Sequence, residues 1–182
     1  MKILFLGYSK HETSLILFLI DRGHSVISTS EKFSDFSDFD LVVSYGYSYI
    51  IKDFELLTLK RPIVNLHISF LPFNKGSHPN FWSHYEKTPS GISIHEIDKG
   101  VDTGPILFQK EITFDPNEKL SSSYSQLRIA VESLFRENII DIEAMSYKKI
   151  YSNSLGTFHK MSELPSWVSW NMSIKDVHER SK

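Results

Sequence analysis

Short apolar runs alternate with polar stretches through the first half of the chain. The run at 2–7 (KILFLG) predicts a buried strand. Spacing at 11–22 predicts an amphipathic helix stopped by Gly23, where a positive φ costs little. Strands follow at 24–29 and at 39–45, the latter after the polar stretch 30–38. A short helix at 52–60 ends before Pro62, and 62–69 (PIVNLHIS) predicts a fourth strand. This rhythm is that of a parallel sheet with crossovers on its faces. The pattern then changes. A short helix fits 79–86, with Pro79 at its start, where a missing N–H is harmless. Segments 91–97 and 105–114 alternate around DKGVDTG, which predicts an antiparallel addition to the sheet. A long helix follows at 122–145, with Ser123 and Gln126 as a capping box and Leu127, Val131, Leu134 and Phe135 as its core stripe. Residues 147–182 predict an irregular extension anchored by Phe158, Trp167 and Trp170. The expected class is α/β, in a single domain whose core is 1–146.

Composition narrows the functions available. Twenty basic against 22 acidic residues, a net charge of −2, exclude a chain that coats nucleic acid through bulk positive charge. The absence of cysteine excludes a disulfide framework, a thiolate zinc site and a cysteine nucleophile. The apolar stretches at 3–6 and 15–20 are too short for a signal peptide or a membrane span, so a cytoplasmic protein is expected. GYSKHETS after the first strand has one glycine where a dinucleotide site would show G-x-G-x-x-G, and no P-loop occurs.

Three segments carry candidate chemistry. Alternation in strand 62–69 puts Val64, Leu66 and Ile68 on one face and Asn65 and His67 on the other. A polar pair at the carboxyl end of a doubly covered strand is either satisfied by buried partners or part of a site. The loop after it, SFLPFNKGSHPNFW, is either a polar connection or an anion site, with Lys75 as its cation. The third segment, Asp98 to Gly104, is either an Asx-rich turn or the source of a carboxylate for His67, which would hold one ring tautomer and favour the imidazolium. His67, His78, His84 and His95 show no local ligand pattern, so no metal is expected.

Together, Asn65-Leu66-His67, Leu71-Pro72-Phe73-Asn74-Lys75-Gly76 and Asp102-Thr103-Gly104 resemble the signature of the folate-dependent formyltransferases. HPNFW after Lys75-Gly76, and Leu155-Gly156-Thr157-Phe158-His159-Lys160, are most similar to the sugar N-formyltransferases of that family. The resemblance implies a Rossmann-like, mixed but mostly parallel sheet with helices on both faces. It implies transfer of a formyl group from 10-formyltetrahydrofolate to the amine of a nucleotide-linked amino sugar, without metal. It implies catalytic Asn65, protonated His67 and Asp102, with Asn65 and His67 as oxyanion donors and Asp102 raising the His67 pKa. The pterin would lie against Tyr49, Ile50, Ile51, Asp98, Gly100 and Val101, largely through backbone groups. Lys75, Gly76, His78 and Asn80 would face the acceptor. No nucleic acid or membrane is expected as a partner, and a homodimer is left open. Glycinamide ribonucleotide or methionyl-tRNA as acceptor, or hydrolysis of the formyl folate, are the alternatives; the methionyl-tRNA enzymes carry an extra C-terminal barrel for which this chain is too short.

Overall fold

A six-stranded mixed sheet forms the centre of the protein in a computed structural model, which describes residues 1–57 and 59–181. The elements are β1 (Lys2–Gly7), α1 (Leu15–Asp21), β2 (Ser25–Thr29), β3 (Leu41–Tyr45), α2 (Asp53–Leu56), β4 (Val64–His67), β5 (Lys75–Gly76) and α3 (Pro79–Tyr85), then β6 (Gly91–Glu96), β7 (Ile106–Glu111), α4 (Leu120–Glu137), α5 (Ile139–Ala144), β8 (Phe158–His159) and α6 (Ile174–Arg180). The sheet order is β2-β1-β3-β4-β6-β7. The first four of these strands pair in parallel, and β6 and β7 add antiparallel beside β4.

Strand alternation builds two cores. Ile3, Phe5, Val43 and Leu66 face α1, α4 and α5, where Leu19, Leu127, Val131 and Phe135 meet them. Leu4, Leu6 and Val42 face the other way, onto Phe36, Phe39 and Ile51. That second face is covered mainly by the loop 30–40, with Leu56 of α2 packed beside it. A third cluster joins α3, α6 and the start of α4 through Phe81, Trp82, Leu120, Ile174 and Val177. Among the described residues, no helix is long and apolar enough to cross a membrane.

Several boundaries differ from the pattern-based expectation. α1 begins at Leu15 rather than at 11, because Ser9 donates its N–H and hydroxyl to the Glu12 carboxylate and closes a turn. α2 occupies only Asp53–Leu56 of the predicted 52–60, of which Thr58 lies outside the described residues. The long helix starts at Leu120 and breaks at Asn138, whose side chain bonds back to the Leu134 carbonyl. Its proposed capping box does not form: Ser123 is buried and donates to Asn80 Oδ1, while Gln126 reaches Glu118. The extension is irregular except for two short elements and one 3-10 turn. β8 pairs in parallel with β5, and α6 is opened by a capping box between Ser173 and Asp176. Trp167 is an anchor, packed in the third cluster, but Phe158 and Trp170 are 45% and 42% exposed and anchor nothing by burial. Lys182 lies outside the described residues.

Candidate active site

Asn65 and His67 emerge at the carboxyl end of β4, where a parallel strand delivers side chains to the sheet edge. The antiparallel partner β6 sets His95 directly across from Asn65. The loop from β6 to β7 turns tightly at Gly104, where a Cβ would stand 1.9 Å from the Glu96 carbonyl. Asp102, at φ 53°, is thereby folded back over both strands. Asp98 fixes this loop by accepting from the Gly100 N–H at 2.9 Å and from the Thr103 hydroxyl at 2.5 Å.

The result is one connected cluster. Asp102 Oδ2 accepts from the Gly76 N–H at 2.8 Å and lies 3.6 Å from His67 Nε2. Asp102 Oδ1 lies 3.4 Å from His95 Nε2 and 3.5 Å from Asn65 Nδ2. Asn65 Nδ2 also lies 3.0 Å from His95 Nε2, and His95 Nδ1 donates to the Glu96 carbonyl at 2.9 Å. That last bond fixes the neutral His95 ring with Nε2 as the acceptor of an Asn65 N–H. His67 Nε2 faces two acceptors, the Asp102 carboxylate and the Asn74 carbonyl at 3.4 Å. It therefore carries the proton, and the lone pair of the neutral His67 ring is on Nδ1.

Charge in the cluster differs from the expected imidazolium. Burial pushes the His67 pKa below its ordinary value, and the opposing pull of Asp102 does not overcome it. Burial also works against the Asp102 carboxylate, but the two histidines and the Gly76 N–H outweigh it and hold its pKa well below the usual range. The two shifts together favour Asp102 as the anion and His67 as its neutral partner. Burial of the ring thus works against the protonated His67 expected at rest.

The cluster lines a cavity of about 990 Å³. Tyr49, Ile50, Ile51, Asp98, Gly100 and Val101 line it, as do Gly76, His78 and Asn80. Ile50 is 74% exposed there, an apolar surface offered to a flat ligand. Two of the residues expected to face the acceptor are bonded elsewhere. Lys75 is not in the cavity wall; its ammonium donates to the Leu155 carbonyl at 2.8 Å and holds the chain extension down. Asn80 has both ends of its amide committed, to the Leu120 carbonyl and the Ser123 hydroxyl, because it joins α3 to α4. Among the described residues, no group of three or more His, Cys, Asp or Glu is placed to hold a metal.

Sequence reasoning missed His95 and one face of α4. Ser121, Tyr124, Ser125 and Arg128, spaced i, i+3, i+4 and i+7, line the cavity opposite the Leu127 and Val131 stripe. Arg128 stands 4.4 Å over the Tyr8 ring and donates to the Tyr45 hydroxyl and the Glu12 carbonyl. The polar stripe was visible in the sequence at that spacing; His95 was not, since its pairing depends on register across two strands.

Comparison with known proteins adds four findings. The family model described as "Formyl transferase" matches residues 29–139. A methionyl-tRNA formyltransferase of Thermodesulfovibrio yellowstonii is 32% identical over 150 residues, 77% of this chain and 46% of that protein. A dTDP-4-amino-4,6-dideoxyglucose formyltransferase of Mycobacterium tuberculosis is 34% identical over 84 residues, 46% of this chain and 36% of that one. This chain thus spans less than half the length of the curated relatives it matches. Among solved structures, the formyltransferase PseJ from Anoxybacillus kamchatkensis, in complex with UDP-4,6-dideoxy-4-formamido-L-AltNAc and tetrahydrofolate, is similar over 100% of both chains, with a TM-score of 0.91 and 33% identity.

Proposed function

Because the chain belongs to the formyl transferase family, we propose that it moves a formyl group from 10-formyltetrahydrofolate to the free amine of a nucleotide-linked amino sugar. The observation that carries this reading is the cluster of Asn65, His67 and Asp102 in a cavity whose walls differ on either side. The apolar and backbone-rich wall at 46–51 and 97–101 suits a pterin. The similarity to PseJ over the full length of both chains favours an amino sugar carried on a nucleotide as the acceptor.

The folate supplies an electrophilic formyl carbon bonded to N10. His67 Nδ1, the lone pair of the neutral ring, takes a proton from the acceptor amine as the new N–C bond forms. The imidazolium so created stands 3.6 Å from the Asp102 carboxylate, which stabilises it only once it is charged. His67 then returns the proton to N10 as the C–N10 bond breaks. One N–C bond is made, one is broken, and one proton passes between the two nitrogens. Asn65 Nδ2 has one N–H on His95, and its second makes only a long 3.5 Å bond to Asp102 Oδ1, which the formyl oxygen would replace as acceptor when negative charge gathers there.

The test is consumption of 10-formyltetrahydrofolate, followed by absorbance, against UDP- and dTDP-linked amino sugars, methionyl-tRNA, glycinamide ribonucleotide and buffer alone. Turnover should require a free amino sugar, and its N-acetylated analogue should be inert. Turnover with methionyl-tRNA or the ribonucleotide in place of every amino sugar would replace the acceptor. Equal turnover in buffer would make the protein a hydrolase.

A further inference from the structure

Five cavity-lining residues lie beyond the segment matched by the family model and have no part in the chemistry above: Phe158, His159, Lys160, Met161 and Trp170. Their placement follows from register. β8 pairs with β5 through Lys75 to Phe158 and Gly76 to His159. Alternation buries the His159 ring, which stacks on Trp82 at 3.9 Å and 8°, and leaves Phe158 and Lys160 exposed, all three residues lining the cavity. Gly76 makes the pairing possible: at φ 84°, a Cβ there would stand 2.3 Å from the His159 carbonyl and 3.0 Å from the Phe158 ring. The backbone of Trp170 is equally fixed. Its carbonyl accepts the Ser121 N–H at 2.9 Å, and the Met172 carbonyl accepts the Leu120 N–H at 3.0 Å, so this segment caps the start of α4.

The side chains on this fixed backbone are nonetheless displayed. Phe158 and Trp170 stay 45% and 42% exposed, forgoing much of the burial that rings of this size usually gain. The one ring beside Trp170 among the described residues is His78, 5.7 Å away and tilted by 38°. Lys160 is exposed, and its ammonium is in no ion pair among the described residues. Flat apolar rings and an unneutralised cation that line one cavity with the His67 cluster match a heteroaromatic base carrying phosphate.

We propose that residues 158–170 form the nucleotide half of the acceptor site, with Trp170 and Phe158 taking the base and Lys160 the phosphates. The assignment rests on the nucleotide-linked acceptor proposed above. It also moves the anion-binding cation from Lys75, which only ties the segment down, to Lys160, which the segment carries into the cavity.

The full chain is titrated with UDP, dTDP and uridine by calorimetry and by tryptophan fluorescence, with folinic acid as the folate probe. Trp170→Ala should weaken UDP and uridine alike, by about 5- to 150-fold, the range of one lost base stack, while Trp170→Phe keeps most of the affinity. Lys160→Gln should weaken UDP about tenfold at low salt, flatten its salt dependence and leave uridine within about twofold. Equal UDP binding by wild type and Trp170→Ala overturns the proposal. So does a Trp170→Ala variant that loses folinic acid instead of UDP, since the ring would then serve the folate. Absence of any UDP or dTDP binding in an enzyme that formylates amino sugars overturns it as well. Trp170-dependent UDP binding in a protein that formylates no amino sugar sustains the site and removes the reaction, so the two failures are separable.

Discussion

Asp102→Asn is the substitution whose size the geometry fixes best. The amide keeps an oxygen for the Gly76 N–H, so the loop stays closed, but the negative charge beside His67 is gone. Opposite unit charges 3.6 Å apart attract by about 4.6 kcal/mol at an effective dielectric of about 20. That attraction exists only while His67 holds the transferred proton, so its loss raises the barrier rather than weakening substrate binding. The full amount is a factor of about 10³ in rate, and the Asn dipole recovers part of it, so a fall in kcat of about 10² to 10³ is expected. The pH profile gives an independent reading. Neutral His67 is the active form, so wild-type activity should hold above its pKa, which lies below 6.5, and fall as pH drops through it. Asp102 raises that pKa, so in the variant the acid limb should move to lower pH. Turnover within threefold of wild type, or an acid limb displaced to higher pH, would refute a charge-based role.

Three further outcomes are expected. His95→Leu leaves Asn65 without its fixed acceptor; kcat should fall about 10- to 100-fold through misplacement, with the KM for folate nearly unchanged and partial rescue by His95→Gln. Gly76→Ala puts a Cβ into the His159 carbonyl at a positive φ, so it should cost about 1–3 kcal/mol in chemical denaturation and raise the acceptor KM. His84 is buried with Nε2 unpartnered and its pKa is pushed down to about 4 by burial and by His178. The unfolded chain therefore binds its proton first as pH falls below 6.5, and stability, worth about 3 kcal/mol here, should drain away between pH 6.5 and 4. His84→Leu should flatten the melting temperature across that window; an unchanged slope would remove His84 as the cause.

The strands of the parallel half were readable because each needs only a local run of apolar residues, and β1, β3 and β4 fall inside the segments predicted for them. Helix ends were harder, since they are decided by competing side-chain bonds. The Ser9 to Glu12 turn takes residues that spacing alone gives to α1, and Ser123 spends its hydroxyl on Asn80 of another helix instead of on a cap. Both choices depend on a partner that is either non-helical or distant in sequence. α6 was missed for the opposite reason: its Ser173 and Asp176 box is local and legible, but it sits among residues with no long periodic stripe to draw attention to it.

The same distinction sorts the site. Asn65 and His67 share a strand face two residues apart, and Asp102 lies in a loop whose glycines announce a tight return, so their meeting follows from short-range pattern plus one crossover. His95 joins them only through antiparallel register, which no single strand encodes. The Lys75 contact was not legible because a lysine beside a glycine in a loop carries the same charge whether it faces a ligand or a carbonyl; what decides is the segment some 80 residues later, where β8 pairs with β5 and the preceding Leu155 offers its carbonyl. Since β8 positions both Lys75 and Lys160, the proposed acceptor side of the cavity is set by a contact between two-residue strands. Substitutions that loosen it, Gly76→Ala first among them, should therefore change the acceptor KM before they change the proton chemistry at His67.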